Sequence, residues 1–177
     1  MFAARSEGTV DLTAGGASQY IVVVDTSSCA TPVDQPGPFR RLLIPRGALD
    51  EVIAHARESL PNECCGLLAG WIDGEGGRVT QQYRVRNERL SPTEFATHPR
   101  DMLDASKATR AAGTEVLAIY HSHPTSAPVP SRKDIERNSW GVSVVHLIVG
   151  LGGAEPEIRG WWLTDDGYCE ATWEGVL

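Results

Sequence analysis

Two histidines separated by one residue carry the most chemistry in this chain: His121-Ser-His123-Pro124, followed after six residues by Ser131-Arg-Lys-Asp134. The residues before them, Glu115-Val-Leu-Ala-Ile-Tyr120, are mostly apolar and suit a strand, so both histidines are expected at a strand end. In a strand, side chains two residues apart project from one face, which pairs the imidazoles and turns Ser122 the other way. Two imidazoles side by side are half of a zinc site, and a catalytic zinc takes a third protein ligand while keeping one position for water. Asp134 is the candidate third ligand. Pro124, Pro128 and Pro130 can continue neither a ladder nor a helix interior, so they form a stiff loop able to return the carboxylate to the histidines.

Ser131-x-x-Asp134 also reads as a capping box, with Ser131 as N-cap of a helix over 131–139. The two readings agree with each other, because a cap orients the first helical turn and can present Asp134 to a metal. Other histidines carry weaker signals. His55 lies in a helix beside its apolar stripe, His98 in a polar loop before Pro99, and His146 in an apolar strand; each reads as structural.

The run from His121 through Ser131 to Asp134 resembles the complete signature of the JAMM (MPN-plus) zinc metalloproteases. That family carries a glutamate upstream, in a stretch like Pro-x-Glu-x-x-Gly followed by apolar residues and a glycine. Pro61-Asn-Glu63-Cys-Cys-Gly66-Leu-Leu-Ala-Gly70 is similar to it, with Glu63 at the glutamate. The resemblance runs from about residue 40 to the C-terminus. It implies an α/β fold, the MPN (cytidine-deaminase-like) α-β-α sandwich with a mixed central sheet, and one catalytic zinc ion on His121, His123 and Asp134. Glu63 and Ser131 are then the catalytic residues. Neutral imidazoles and one carboxylate leave the zinc net positive, lowering the pKa of its water toward about 7. Glu63 is expected to take that water's proton and return it to the leaving amine, and Ser131 to hydrogen-bond the developing oxyanion.

The same resemblance implies a zinc metallopeptidase or isopeptidase that cuts after the C-terminal Gly-Gly of a ubiquitin-like protein, a sulfur carrier among them. Small residues, Ser122, Thr125, Ser126 and Ala127, suit a narrow slot for such a tail. Two alternatives stay open: a catalytically silent MPN scaffold for protein–protein interaction, and a zinc hydrolase of a small-molecule amide. Against the first stands the full ligand set. Against a deaminase stands the lack of any Cys-x-x-Cys pair.

The elements that must position these residues follow from the pattern. Residues 1–39 are linker-like, with Gly15-Gly16 and a Pro/Gly cluster before Phe39, and only Gln19-Tyr-Ile-Val-Val-Val-Asp25 suits a strand, expected to dock on the domain or a partner. The metalloprotease domain is expected over 40–177. A strand at 40–45 leads to a helix with Leu49, Val52, Ile53 and Ala56 on one side. Strands are expected at 63–72 and 78–87, a loop over the groove at 88–100 anchored by Phe95, and a helix at 101–112 with Met102, Leu103, Ala105 and Ala108 apolar, stopped by Gly113. The apolar run 141–151 suits a buried strand, and 158–163 with 168–173 a closing hairpin. The chain of 177 residues fits one domain. Its net charge of −7 without a basic run argues against nucleic acid, and no apolar run is long enough for a membrane span, so a cytoplasmic protein is expected. The four cysteines lack disulfide-framework spacing and read as reduced. A homodimer stays open.

Overall fold

The computed structural model describes residues 35–165 and 167–177, with the backbone of Gly8–Thr9 and Ile21–Val24. Along the chain the elements are β1 (Gly8–Thr9), β2 (Ile21–Val24), β3 (Arg41–Pro45), α1 (Arg46–Glu58), β4 (Cys65–Asp73), β5 (Gly76–Val85) and α2 (Pro99–Ala111). Then come β6 (Glu115–His123), α3 (Arg132–Glu136), β7 (Val145–Gly150), β8 (Glu157–Thr164), β9 (Gly167–Glu170) and β10 (Trp173–Val176). The strands form one mixed sheet in the order β1-β2-β8-β7-β6-β4-β5-β3-β10, with β9 also on β8. Strand β6 lies centrally, antiparallel to β4 and parallel to β7.

Alternation along β6 splits the core into two layers. Tyr120 faces a cluster containing Leu49, Val52, Ile53 and Ala56 of α1, while Ile119 faces one containing Ala105, with Met102 packed on it, from α2. One helix therefore covers each face, the α-β-α arrangement with a mixed sheet. The apolar stripe expected for α1 is buried as spaced, at Leu49, Val52, Ile53 and Ala56. In α2 only Ala105 and Thr109 are buried and Leu103 is exposed, because this helix lies on the sheet along a narrow stripe. Gly113, at φ +66°, ends the turn after α2.

Three differences from the sequence-based expectations have physical causes. Strand β4 begins at Cys65, so Glu63 stands just ahead of the strand and not in it. The C-terminal hairpin is shorter than expected: β8 pairs with β9, and after Thr172 the chain leaves for the opposite edge, where Trp173 joins β10 parallel to β3. Cys64 and Cys65 are free and buried, but Cys169 is disulfide-bonded, contrary to four reduced thiols; it is half-buried on the short strand β9, packed against the edge of the main core. Cys29 and most of the N-terminal stretch lie outside the described residues, although Ile21–Val24 pairs parallel with β8. Among the described residues no helix is long and apolar enough to cross a membrane.

Candidate metal centre

Strand β6 delivers His121 and His123 to the α2 face of the sheet, both buried. The loop that follows is fixed by its own core contacts. His123 Nδ1 lies 2.9 Å from the Ala127 carbonyl, which makes Nδ1 the donor and turns the Nε2 lone pair inward. Trp161 Nε1 donates to the Pro128 carbonyl at 2.8 Å, and Val129 packs on Ile148, Trp161 and Leu163. Gly150 completes this corner, since a Cβ there would collide with Pro128 and the Ser126 carbonyl. The chain then enters α3 through a full capping box: Ser131 Oγ accepts the Asp134 N–H at 3.3 Å, and Asp134 Oδ2 accepts the Ser131 N–H at 2.7 Å. Asp134 thus completes the cap while its carboxylate stays close to both histidines.

The three side chains converge. His121 Nε2 and His123 Nε2 are 3.2 Å apart, and they lie 3.4 and 3.8 Å from the Asp134 carboxylate oxygens. All ligand atoms fall within 4.8 Å of one another. Tetrahedral coordination with bonds of about 2.0–2.1 Å places two imidazole nitrogens roughly 3.3 Å apart. The observed spacing and the N,N,O donor set therefore fit a zinc ion.

Electrostatics acts on each donor differently. Burial pushes the His121 pKa down, keeping its imidazole neutral. For His123 burial acts downward too, but the Asp134 carboxylate and the Ala127 carbonyl outweigh it and the pKa is raised. Burial raises the Asp134 pKa, and the adjacent His121 and His123 imidazoles outweigh this, holding it well below the usual carboxylate range. Glu63, only 5 % exposed, is pushed by burial to about 7, and its Oε2 has no hydrogen-bond partner among the described residues. A carboxyl poised near neutrality in a dry site suits proton transfer in both directions.

Glu63 is placed by residues whose roles the sequence did not disclose. Ser122, facing away from the histidines, is fully buried; its Oγ accepts the Cys64 N–H at 2.9 Å, and its N–H donates to the Cys64 carbonyl at 3.2 Å. Ser122 therefore belongs to the interior and not to a tail slot, whereas Thr125, Ser126 and Ala127 are exposed. The middle residue of His-Ser-His locks the segment that carries Glu63. Asn87 works from the other side, donating to the Glu63 carbonyl at 3.0 Å and to the Glu94 carbonyl at 3.1 Å while its Oδ1 accepts the Arg89 and Ala96 N–H groups. Its only sequence signal is an Asn that follows a strand and opens a loop. Gly66 is needed because a Cβ would overlap the Tyr120 ring.

The remaining histidines are not among the three converging side chains. His98 caps α2, accepting the Asp101 N–H, and His55 bonds the Tyr120 hydroxyl. His146 is buried on β7 with Nε2 unpartnered among the described residues, lining a cavity of about 270 Å³ beside Asp134 together with Phe95, Ile119, Lys133 and Trp140.

Known proteins share this architecture. Residues 45–164 match the family described as prokaryotic homologs of the JAB domain. The chain is 38% identical over 118 residues to a desampylase of Haloferax volcanii, covering 64% of this chain and 83% of that protein. It is 38% identical over 120 residues to a probable TtuB-protein conjugate cleaving protease of Thermus thermophilus, covering 67% of this chain and 77% of that one. A solution structure of a Desulfitobacterium hafniense protein superposes with a TM-score of 0.68 at 34% identity, over 77% of this chain and 94% of the other. With the family match spanning most of its length and the His-His-Asp group at its centre, the chain belongs to the prokaryotic JAB-domain family.

Proposed function

We propose that the chain is a zinc-dependent isopeptidase that hydrolyses the amide bond after the C-terminal Gly-Gly of a ubiquitin-like protein, sulfur carriers included. The observation that carries this reading is the convergence of His121, His123 and Asp134 in a site with a buried Glu63 whose Oε2 has no partner among the described residues. The names of two relatives, a desampylase and a probable TtuB-protein conjugate cleaving protease, support a protein conjugate as substrate.

His121, His123 and Asp134 would hold a zinc ion, which would supply Lewis-acid chemistry for the carbonyl and for the attacking water. Glu63 accepts the proton of the attacking water at its unpartnered Oε2 and delivers it to the departing amine, serving first as base and then as acid. Ser131 Oγ already accepts the Asp134 N–H, which leaves its hydroxyl proton free to donate to the oxygen on which charge develops. Such a donor contributes about 3–4 kcal/mol to the barrier reduction. The His123–Ala127 hydrogen bond keeps the imidazole in one tautomer throughout.

The decisive experiment combines metal content with cleavage. Wild type and Glu63→Gln are assayed for zinc and incubated with a ubiquitin-like protein carrying an amide-linked C-terminal extension. One zinc per chain in both is expected, with the variant's cleavage reduced about 10²–10⁴-fold. Equal cleavage by the variant removes Glu63 from the mechanism. A wild type without zinc after metal is supplied returns the chain to the scaffold reading.

A further inference from the structure

Two features of the triad are unexplained by the elements that carry it. Helix α3 presents Asp134 yet has no buried residue, so core packing does not hold it against β6. His121 Nδ1 is buried with no hydrogen-bond partner among the described residues, whereas His123 Nδ1 is tied to the Ala127 carbonyl. A ligating imidazole ordinarily has its second nitrogen anchored by a carbonyl, carboxylate or water, and that anchor sets the plane of the ring.

Adjacent residues in the loop between β5 and α2 address both features. The Phe95 ring stacks on His121 with centroids 4.7 Å apart and planes 29° from parallel. Glu94 Oε2 accepts from Arg137 Nη1 at 2.6 Å, and its Oε1 lies 3.9 Å from Lys133 Nζ, so one carboxylate grips α3 on both sides of Asp134. Asn87 holds this pair of residues from behind, through the Glu94 carbonyl and the Ala96 N–H.

We propose that Glu94 and Phe95 are positioning residues for the metal triad: Phe95 fixes the plane of His121 by stacking in place of a hydrogen bond, and Glu94 keeps α3 and Asp134 within reach of the histidines. This rests on the triad being the metal site. The two contributions differ in kind. The stack joins a half-buried Phe95 to a fully buried His121, whereas the Glu94 ion pairs are partly exposed, with side chains 24% and 48% accessible for Glu94 and Arg137. Salt therefore weakens the second and leaves the first.

The test measures zinc affinity by competition with a chromogenic chelator, and ligand geometry by the visible spectrum of Co²⁺-loaded protein. Phe95→Leu is expected to weaken zinc binding about tenfold or more and to shift the cobalt bands, with Phe95→Tyr restoring both. Glu94→Gln is expected to weaken binding about two- to fivefold at low salt, the difference from wild type closing at high salt. Wild-type affinity in Phe95→Leu, or a loss that Phe95→Tyr shares in full, overturns the proposal and leaves the metal site standing. Should Phe95→Leu fail to fold, the surface change Glu94→Gln decides: affinity equal to wild type at low salt overturns the clamp. A wild type that binds no zinc overturns the site reading itself.

Discussion

Ser131 and Ser122 are the hydroxyls on which the site depends, and they act through different energies. Ser131 caps α3 and, in the proposed mechanism, donates to the reacting oxygen. Ser131→Ala should cut kcat by about 10²–10³-fold through the lost oxyanion donor. The lost cap should cost about 1 kcal/mol of stability, separable by denaturant titration. Ser122 touches no substrate. In Ser122→Ala the buried Cys64 N–H loses its partner, which should lower stability by about 1–3 kcal/mol and loosen Glu63 next to it. A Ser122→Ala protein as stable as wild type would mean that Cys64 finds another acceptor. These residues also show what the sequence could reveal. His121, His123 and the Ser131–Asp134 cap are local patterns, readable from a strand period and a helix start. Ser122 meets Cys64 across 58 positions and Asn87 meets Glu63 across 24, and such pairings exist only once β4, β5 and β6 are in register.

Helix α1 is joined to strand β6 by a polar contact within an apolar layer. Gln82 Nε2 donates to the Tyr120 hydroxyl at 2.7 Å, so the Tyr120 proton is left for His55 Nδ1, 2.8 Å away. That geometry requires a neutral His55. Burial, aided by Arg84, pushes its pKa below the ordinary histidine value of 6.5. The unfolded chain therefore takes up the proton first, so the stabilisation from this group is complete above about pH 6.5 and is lost as pH falls below it. Melting temperature should decline across that range in wild type and decline less in His55→Gln, which keeps a side-chain acceptor without the titration. Equal slopes would assign the acid sensitivity to other groups. The element boundaries were legible wherever one face is apolar, as in α1 and β6. They were misread where a strand changes neighbours: nothing local at Ala171-Thr172 announces that Trp173 will cross to β3.

Across the whole molecule, stability is unevenly distributed around the triad. A mixed sheet with helices on its faces is legible in the strand and helix periods, and the α-β-α sandwich is what the family resemblance implies, so the fold class is readable before the order of strands. Sheet order could not, since β3 lies beside β5 and β10 through contacts distant in sequence. The resulting asymmetry has its consequence at α3. The histidines stand on a strand whose last seven residues are buried, while Asp134 stands on five residues with none buried. A metal ion bound as proposed would be the strongest tie between the buried strand end and the exposed helix. Stripping it with a chelator should speed amide hydrogen exchange at 131–137 while the β6 amides stay protected, and trypsin should nick the chain first at Arg132, Lys133 or Arg137. Uniform protection with and without chelator would show that the rim holds by itself. If zinc is that tie and the rim does open, copies without the ion would be cut at one short helix more readily than loaded copies.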